Sequence, residues 1–135
     1  MNLQNLNQNI YIADQIDLSD LEEFNRLGIK TVVNNRPDQE INAPQSAQVA
    51  QRSKELGLNY HYLPIMPGEY LVENISALTN ILATINSPLV AYCRTGNRST
   101  TLWALCQKEM LGMDEVIKKA KIIGFNIEKV EKLYD

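Results

Sequence analysis

The stretch PLVAYCRTGNRS, residues 88–99, decides how the rest of the chain is interpreted. Its first five residues, 88–92, form a short apolar run that predicts a buried strand. Cys93 follows that strand directly, and a helical pattern begins near Arg98 and ends at Gly112. The stretch therefore predicts a strand, a short loop and a helix, with a cysteine at the carboxyl end of the strand.

On both sides of this stretch, strand and helix patterns alternate. Further strands are predicted at residues 10–13, 29–34 and 58–65. A capping-box pattern at Ser19 predicts the start of one helix, and apolar residues at helical spacing from Ile75 to Ile85 predict another. Further helices are predicted at residues 44–56, 98–111, 114–122 and 127–133. This alternation indicates an α/β fold, with a parallel-type sheet of about four strands flanked by helices. Such sheets bind ligands beyond the carboxyl ends of their strands, which is where Cys93 lies.

Composition narrows the class of protein. The chain has 135 residues, 44% of them hydrophobic, and a net charge of −3, which predicts one globular domain over residues 1–135. The scattered charges predict neither nucleic acid nor a membrane as partner. The first residues resemble no signal peptide, and two free cysteines fit a reducing compartment, so we expect a cytoplasmic protein. One histidine and two separated cysteines predict no metal site, and nothing indicates a cofactor or an oligomeric state.

The loop after Cys93 has the chemistry of an anion site. Gly96 supplies the backbone freedom that a tight turn of inward-facing N–H groups needs. The following helix adds unpaired N–H groups and the positive end of its dipole, and Arg98 can hold an oxyanion in bidentate fashion. The same donors stabilise a thiolate. We therefore predict Cys93 as the nucleophile, and Arg94, Thr95, Gly96 and Asn97 as substrate-binding residues. The simpler interpretation, a buried cysteine beside a surface arginine, does not account for the spacing of the whole motif.

These residues carry a resemblance. The loop resembles those of cysteine-dependent phosphatases and of rhodanese sulfurtransferases. The whole chain is similar to the bacterial family of phosphatase-like domains of beta-lactamase hydrolase-like proteins, through residues 10–13, 27–29, 35–38, 92–99 and 124–126. The resemblance implies a protein tyrosine phosphatase-like fold and a hydrolase acting on a small oxyanion or phosphorylated substrate. It also implies that Cys93 is the nucleophile, that Arg98 binds the anion, and that the Ser99 hydroxyl helps to break the covalent intermediate.

Two departures from the phosphatase pattern keep alternatives open. Phosphatase loops usually place five residues between the cysteine and the arginine, whereas four separate Cys93 from Arg98. The residue before the cysteine is Tyr92, where many phosphatases have histidine. A shorter loop is typical of rhodaneses, in which the cysteine carries a persulfide. A rhodanese-like sulfurtransferase and a non-catalytic oxyanion-binding module are therefore the alternatives to a phosphatase-like hydrolase.

Several other side chains are weaker candidates. A phosphatase needs a general acid, and Glu69 is the carboxylate on the loop after the third predicted strand, although a solvated loop charge is the simpler interpretation. Arg36, at the end of a strand, is a candidate for the pocket wall. Asp38 is a second carboxylate, for which a turn is the simpler role. We expect His61 and Cys106 to be structural.

Overall fold

The computed structural model describes residues 1–128, and its centre is a five-stranded sheet of order β1-β2-β5-β3-β4. The strands are β1 (Leu3–Asn7), β2 (Ile10–Ala13), β3 (Thr31–Asn34), β4 (Asn59–Tyr62) and β5 (Leu89–Tyr92). All four predicted strands are present, and three of them are shorter than predicted. The sheet is parallel except for β1, which pairs antiparallel with β2. The predicted fold class is confirmed.

The strand β1 was not predicted. Its sequence, LQNLN, is rich in amide side chains, which are depleted in strands. It nevertheless pairs along β2, with Leu3 opposite Ala13, and Leu6 packs into the core. Tertiary pairing has therefore overridden a weak local preference.

Within the described residues, five helices cover the sheet: α1 (Asp20–Arg26), α2 (Ser46–Glu55), α3 (Val72–Thr84), α4 (Asn97–Leu111) and α5 (Met113–Ile122). The capping box predicted at Ser19 is wrong, because Ser19 makes no side-chain cap bond and is itself in the helical region. Instead the Asp17 N–H donates to Asp20 Oδ2, at 2.7 Å. The helix predicted at 127–133 lies mostly outside the described residues.

The core has two parts, one on each face of the sheet. Leu89 and Ala91 of β5 pack on one face with residues from α3, α4 and α5, including Trp103. Val90 and Tyr92 face the other side, towards α1 and α2. All four residues of β5 are therefore buried, which explains why its sequence is a continuous apolar run without alternation.

The carboxyl ends of the four parallel strands lie in one row. Ala13 is in register with Tyr92, Tyr92 with Asn34, and Asn34 with Tyr62. The loops that follow these strands therefore meet at the same edge of the sheet. Within residues 1–128, none of the helices is both long enough and apolar enough to cross a membrane.

Candidate active site

Cys93 begins the loop between β5 and α4, and it is fully buried. The N–H of Gly96 donates to Cys93 Sγ, with 3.1 Å between nitrogen and sulfur. This bond requires the loop to turn sharply, and Gly96 accordingly has a φ of +97°. One N–H of the loop is therefore already directed at the sulfur of the predicted nucleophile.

Gly96 is also closely surrounded. A Cβ at this position would lie 2.8 Å from Cζ of Phe125 and 3.0 Å from Cγ2 of Ile12. The ring of Phe125, from the segment after α5, thus packs directly on the loop. Both the backbone conformation and the lack of space exclude a side chain here.

The remaining loop residues connect the sulfur to the start of α4. The Asn97 N–H donates to Thr95 Oγ1 at 3.2 Å, and the Thr100 N–H donates to the Gly96 carbonyl at 3.0 Å. The Arg94 carbonyl accepts a hydrogen bond from the Gln15 N–H, which ties the loop to the segment after β2. The side chains of Arg94, Thr95 and Asn97 are exposed. The backbone N–H groups of these residues can surround an anion, and the Arg94 side chain also lines the neighbouring pocket.

Arg98 lies in the first turn of α4, is 8% exposed, and pairs with a residue 58 positions away. Its NH1 donates to Glu40 Oε2 at 2.7 Å and its NH2 donates to Glu40 Oε1 at 2.9 Å. NH1 also donates to the Ile65 carbonyl, at 2.8 Å. The Glu40 carboxylate raises the pKa of Arg98 above its usual value, so the guanidinium is permanently charged.

Glu40 bridges two arginines. Its Oε1 lies 3.4 Å from Nε of Arg36, in addition to the pair with Arg98. The hydrogen bonds from Arg98 hold the pKa of Glu40 below its usual range, although partial burial opposes this. Glu40 is therefore ionised near neutral pH, and it cannot donate a proton while it is paired.

Ser99 is buried beneath the loop. Its hydroxyl donates to Asn35 Oδ1 at 2.8 Å, and Asn35 Nδ2 donates to the Leu63 carbonyl at 2.9 Å. Since a hydroxyl has one proton, this bond directs the Ser99 proton to Asn35. The catalytic role of Ser99 stays a prediction.

The loops that follow β2, β3, β4 and β5 line an open pocket of about 840 Å³. Three arginines and one carboxylate belong to its wall, and the lining residues are Gln15, Arg36, Glu40, Ile41, Asn42, Met66, Pro67, Arg94 and Arg98. Arg36, a candidate for the pocket wall in the sequence, is among these lining residues, and its role in substrate binding stays a prediction. Glu69 is exposed, lies at the end of a turn closed by its N–H on the Met66 carbonyl, and is not among the lining residues.

The other weak candidates have structural partners. Asp38 Oδ1 accepts a hydrogen bond from the Ser46 N–H at 2.7 Å, at the start of α2. Burial raises the pKa of Tyr92 far above its usual value and lowers that of His61, so both are held neutral. Cys106 Sγ donates to the Ile75 carbonyl at 3.4 Å, and Cys93 and Cys106 are both free thiols.

Sequence reasoning missed two residues of the site, Glu40 and Asn35. Both follow β3, whose end lies beside the end of β5. The order of the strands could have indicated them. The loop after β3 lies beside the loop after β5, so any carboxylate on it is a candidate partner for Arg98. Among residues 1–128 there is no group of three or more His, Cys, Asp or Glu side chains that could hold a metal ion.

The sequence of the chain matches the model of a known protein family. The model for the phosphatase-like domain of beta-lactamase hydrolase-like proteins matches residues 2–110. Beta-lactamase hydrolase-like proteins of Xylella fastidiosa (strain Temecula1) and Agrobacterium fabrum are 25% identical over 130 residues and 27% identical over 121 residues. These matches cover 94% and 89% of the chain, which spans 30% and 27% of the length of those two proteins.

A phosphatase-type protein is also found among the solved structures that resemble this chain. A candidate phosphatase from Neisseria meningitidis is 32% identical, with a TM-score of 0.81 over 96% of this chain and 94% of that chain. P. aeruginosa TpbA in complex with pTyr is 17% identical, with a TM-score of 0.65 over 87% of this chain and 70% of that chain. The likeness to TpbA shows the fold alone.

Proposed function

The chain belongs to the family of phosphatase-like domains of beta-lactamase hydrolase-like proteins, and we propose that it is a cysteine-dependent phosphatase whose nucleophile is the thiolate of Cys93. The family and the phosphatase-type fold support an enzyme of the phosphatase type. The observation that carries the proposal is the convergence on one loop of a cysteine sulfur, an N–H donor to that sulfur and a buried arginine.

The proposed substrate is a small phosphorylated compound. Three arginines and one glutamate line the pocket, which leaves an excess of positive charge in a chain whose net charge is −3. Such a local excess favours a dianionic phosphate ester. The pTyr bound to TpbA, a protein of the same fold, supports a phosphate monoester as the substrate class.

In the proposed reaction the backbone N–H groups of residues 94–98 and the Arg98 guanidinium hold the phosphate oxygens. The Cys93 thiolate attacks phosphorus, an S–P bond forms, and the P–O bond to the leaving group breaks. Water then attacks phosphorus and gives a proton to the carboxylate that the general acid has become, and the S–P bond breaks with its electron pair returning to sulfur. Inorganic phosphate is released and the thiolate is regenerated. Ser99, next to Arg98, is the proposed donor that stabilises the thiolate as it leaves, which requires its hydroxyl to turn from Asn35 to sulfur.

The leaving oxygen needs a proton, for which we propose Glu69. It lies two residues from Pro67, which lines the pocket, and the proposal requires the turn to bring its carboxyl to the pocket mouth when substrate binds. Among the described residues, Glu40 is the carboxylate that lines the pocket. Its pairing with Arg98 keeps it ionised, so it has no proton to give. Glu69 is therefore the better candidate for general acid.

Two observations favour the alternatives. The four-residue spacing between Cys93 and Arg98 favours a sulfurtransferase that carries sulfur as a Cys93 persulfide. The complete burial of Cys93 favours an oxyanion-binding module, because reactive cysteines are usually partly exposed. Under the phosphatase proposal the loop has to open slightly around the anion before sulfur meets phosphorus.

Parallel assays separate the three functions. The purified chain is tested for hydrolysis of p-nitrophenyl phosphate and for sulfur transfer from thiosulfate to cyanide. Cys93→Ser is the test variant and Cys106→Ser, which removes the other thiol, is the matched control. We expect hydrolysis that Cys93→Ser abolishes and Cys106→Ser retains. If only sulfur transfer depends on Cys93, the persulfide enzyme is favoured. If neither activity depends on Cys93, the non-catalytic binding module is favoured.

A further inference from the structure

We propose that Glu40 is a positioning residue, which holds the guanidinium of Arg98 in the orientation that receives the substrate oxyanion. The inference rests on the proposed function only in that Arg98 is the group that binds the anion. It assigns a further role in the site to the loop between β3 and α2, residues 35–45, whose Arg36 also lines the pocket.

The contact has the geometry of a fixed pair. Both oxygens of Glu40 accept from Arg98, at 2.7 and 2.9 Å, and the Ile65 carbonyl accepts a third bond at 2.8 Å. An arginine side chain otherwise has several rotatable bonds, and ordering them on binding costs affinity. Three hydrogen bonds already made in the free protein remove much of that cost.

The edge of the guanidinium that Glu40 occupies also matters. The pair uses NH1 and NH2, so the Nε–H of Arg98 is not part of it. A guanidinium has five N–H donors in one plane, and it can therefore hold a carboxylate on one edge and an oxyanion on another. Glu40 thus leaves Arg98 able to bind phosphate.

Glu40 is itself fixed by its loop. Arg36 Nε lies 3.4 Å from Glu40 Oε1, and Arg36 NH2 donates to the Ile41 carbonyl at 2.5 Å, so Arg36 contacts both Glu40 and the residue that follows it. Asp38 ties the same loop to α2 through the Ser46 N–H and to β4 through the Tyr62 hydroxyl. These contacts make Glu40 an anchored partner for Arg98.

A carboxylate in an anion site also repels the anion, so two effects of Glu40 oppose each other. Arg36 and Arg94 lie on the same pocket wall and offset its charge. Because two cations balance that repulsion, we expect the positioning effect to exceed it. Glu40→Gln removes the negative charge but keeps the size and shape of the side chain. This variant should therefore bind phosphate more weakly.

The test is a double-mutant cycle in the Cys93→Ser protein, in which no chemistry occurs. The dissociation constant of inorganic phosphate is measured by calorimetry for Arg98 and Arg98→Lys proteins, each with and without Glu40→Gln. We expect Glu40→Gln to weaken binding about tenfold when Arg98 is present and less than about twofold when Arg98 is lysine. Equal effects in both backgrounds, or tighter binding with Glu40→Gln, would overturn the proposal.

Structural damage is separated by a control and a spectroscopic signal. Glu55→Gln removes another glutamate that pairs with an arginine, Arg52, at 3.2 Å on the surface of α2, and should leave phosphate binding unchanged. In NMR spectra the indole N–H of Trp103, the one tryptophan, reports on the core. We expect the Arg98 Nε–H signal to broaden in Glu40→Gln while the Trp103 signal keeps its position. Two sharp and unshifted signals would contradict the proposal.

If Glu40→Gln does not fold, Glu40→Asp decides the question, because it keeps the charge but is too short to reach both NH1 and NH2. Weaker phosphate binding that depends on Arg98 supports positioning, and unchanged binding overturns it. The outcome is independent of the hydrolysis assay. Phosphate binding that depends on Glu40 in a chain without hydrolase activity would retain this inference and reject the phosphatase.

Discussion

The N–H of Gly96 donates to the sulfur of Cys93 across 3.1 Å, and this bond links the proposed nucleophile to the most crowded glycine of the chain. Ile12 of β2 and Phe125 after α5 both fill the space that a Cβ at Gly96 would need. The position of the donor relative to sulfur therefore depends on packing from opposite ends of the chain.

Gly96→Ala tests that packing. A left-handed φ costs a residue with a Cβ about 1–2 kcal/mol, and the contact with Phe125 adds an overpacking cost of about 1–3 kcal/mol. We expect lower stability in urea unfolding, together with loss of phosphate binding. Gly28→Ala is the control, because Gly28 has a φ of +84° but nothing within 4 Å of its Cβ position. Equal losses in both variants would show that crowding at Gly96 contributes nothing.

Most of the fold was predictable because its signals are local. Residues 89–92 of the apolar run are buried on both faces, and Gly28 and Gly57 end their helices as predicted. β1 was not predictable, since its five residues contain two asparagines and one glutamine, and pairing with β2 stabilises it. The cap at Ser19 failed because Asp17 and Asp20 make the turn there instead.

The site was predictable to the extent that it lies on one loop. Cys93, Gly96 and Arg98 are close in sequence, so their spacing alone indicates an anion site. Glu40 was not predictable, because it meets Arg98 across 58 residues and the contact depends on the order of β3 and β5 in the sheet. The single-domain organisation and the cytoplasmic location stay predictions.

The ion pair between Glu40 and Arg98 predicts a pH-dependent stability. Pairing lowers the pKa of Glu40, so its contribution is present above the usual carboxyl pKa and is lost as the pH falls through the lowered value. At pH 7, Glu40→Gln should reduce the free energy of unfolding by about 1–3 kcal/mol. This range allows for the 23% exposure of the Glu40 side chain.

The difference between wild type and Glu40→Gln should shrink in urea unfolding series below about pH 4.5. Glu23→Gln is the control, since the Glu23–Arg26 pair is largely exposed and should contribute little at any pH. A difference that stays constant from pH 7 to pH 3 would mean that the charge of Glu40 is not what stabilises the chain.

Glu69→Gln tests the proposed general acid through its dependence on the leaving group. Phenolate is a poor leaving group and needs a proton, whereas p-nitrophenolate does not. We expect the variant to slow phenyl phosphate hydrolysis by about a hundredfold and p-nitrophenyl phosphate hydrolysis far less, measured as kcat/KM. Equal effects on the two esters, or no effect on either, would show that Glu69 is not the general acid. The leaving oxygen would then take its proton from water.

The central claim is that the sulfur of Cys93 becomes bonded to phosphorus, and trapping the covalent intermediate tests it most directly. The chain is mixed with p-nitrophenyl phosphate, quenched in acid within the first turnover, digested, and analysed by mass spectrometry. We predict a phosphoryl group on the peptide that contains Cys93, present in wild type, unchanged in Cys106→Ser and absent in Cys93→Ser. Hydrolysis that proceeds with no phosphorylated Cys93, or a persulfide on Cys93 in place of phosphate, would contradict the account.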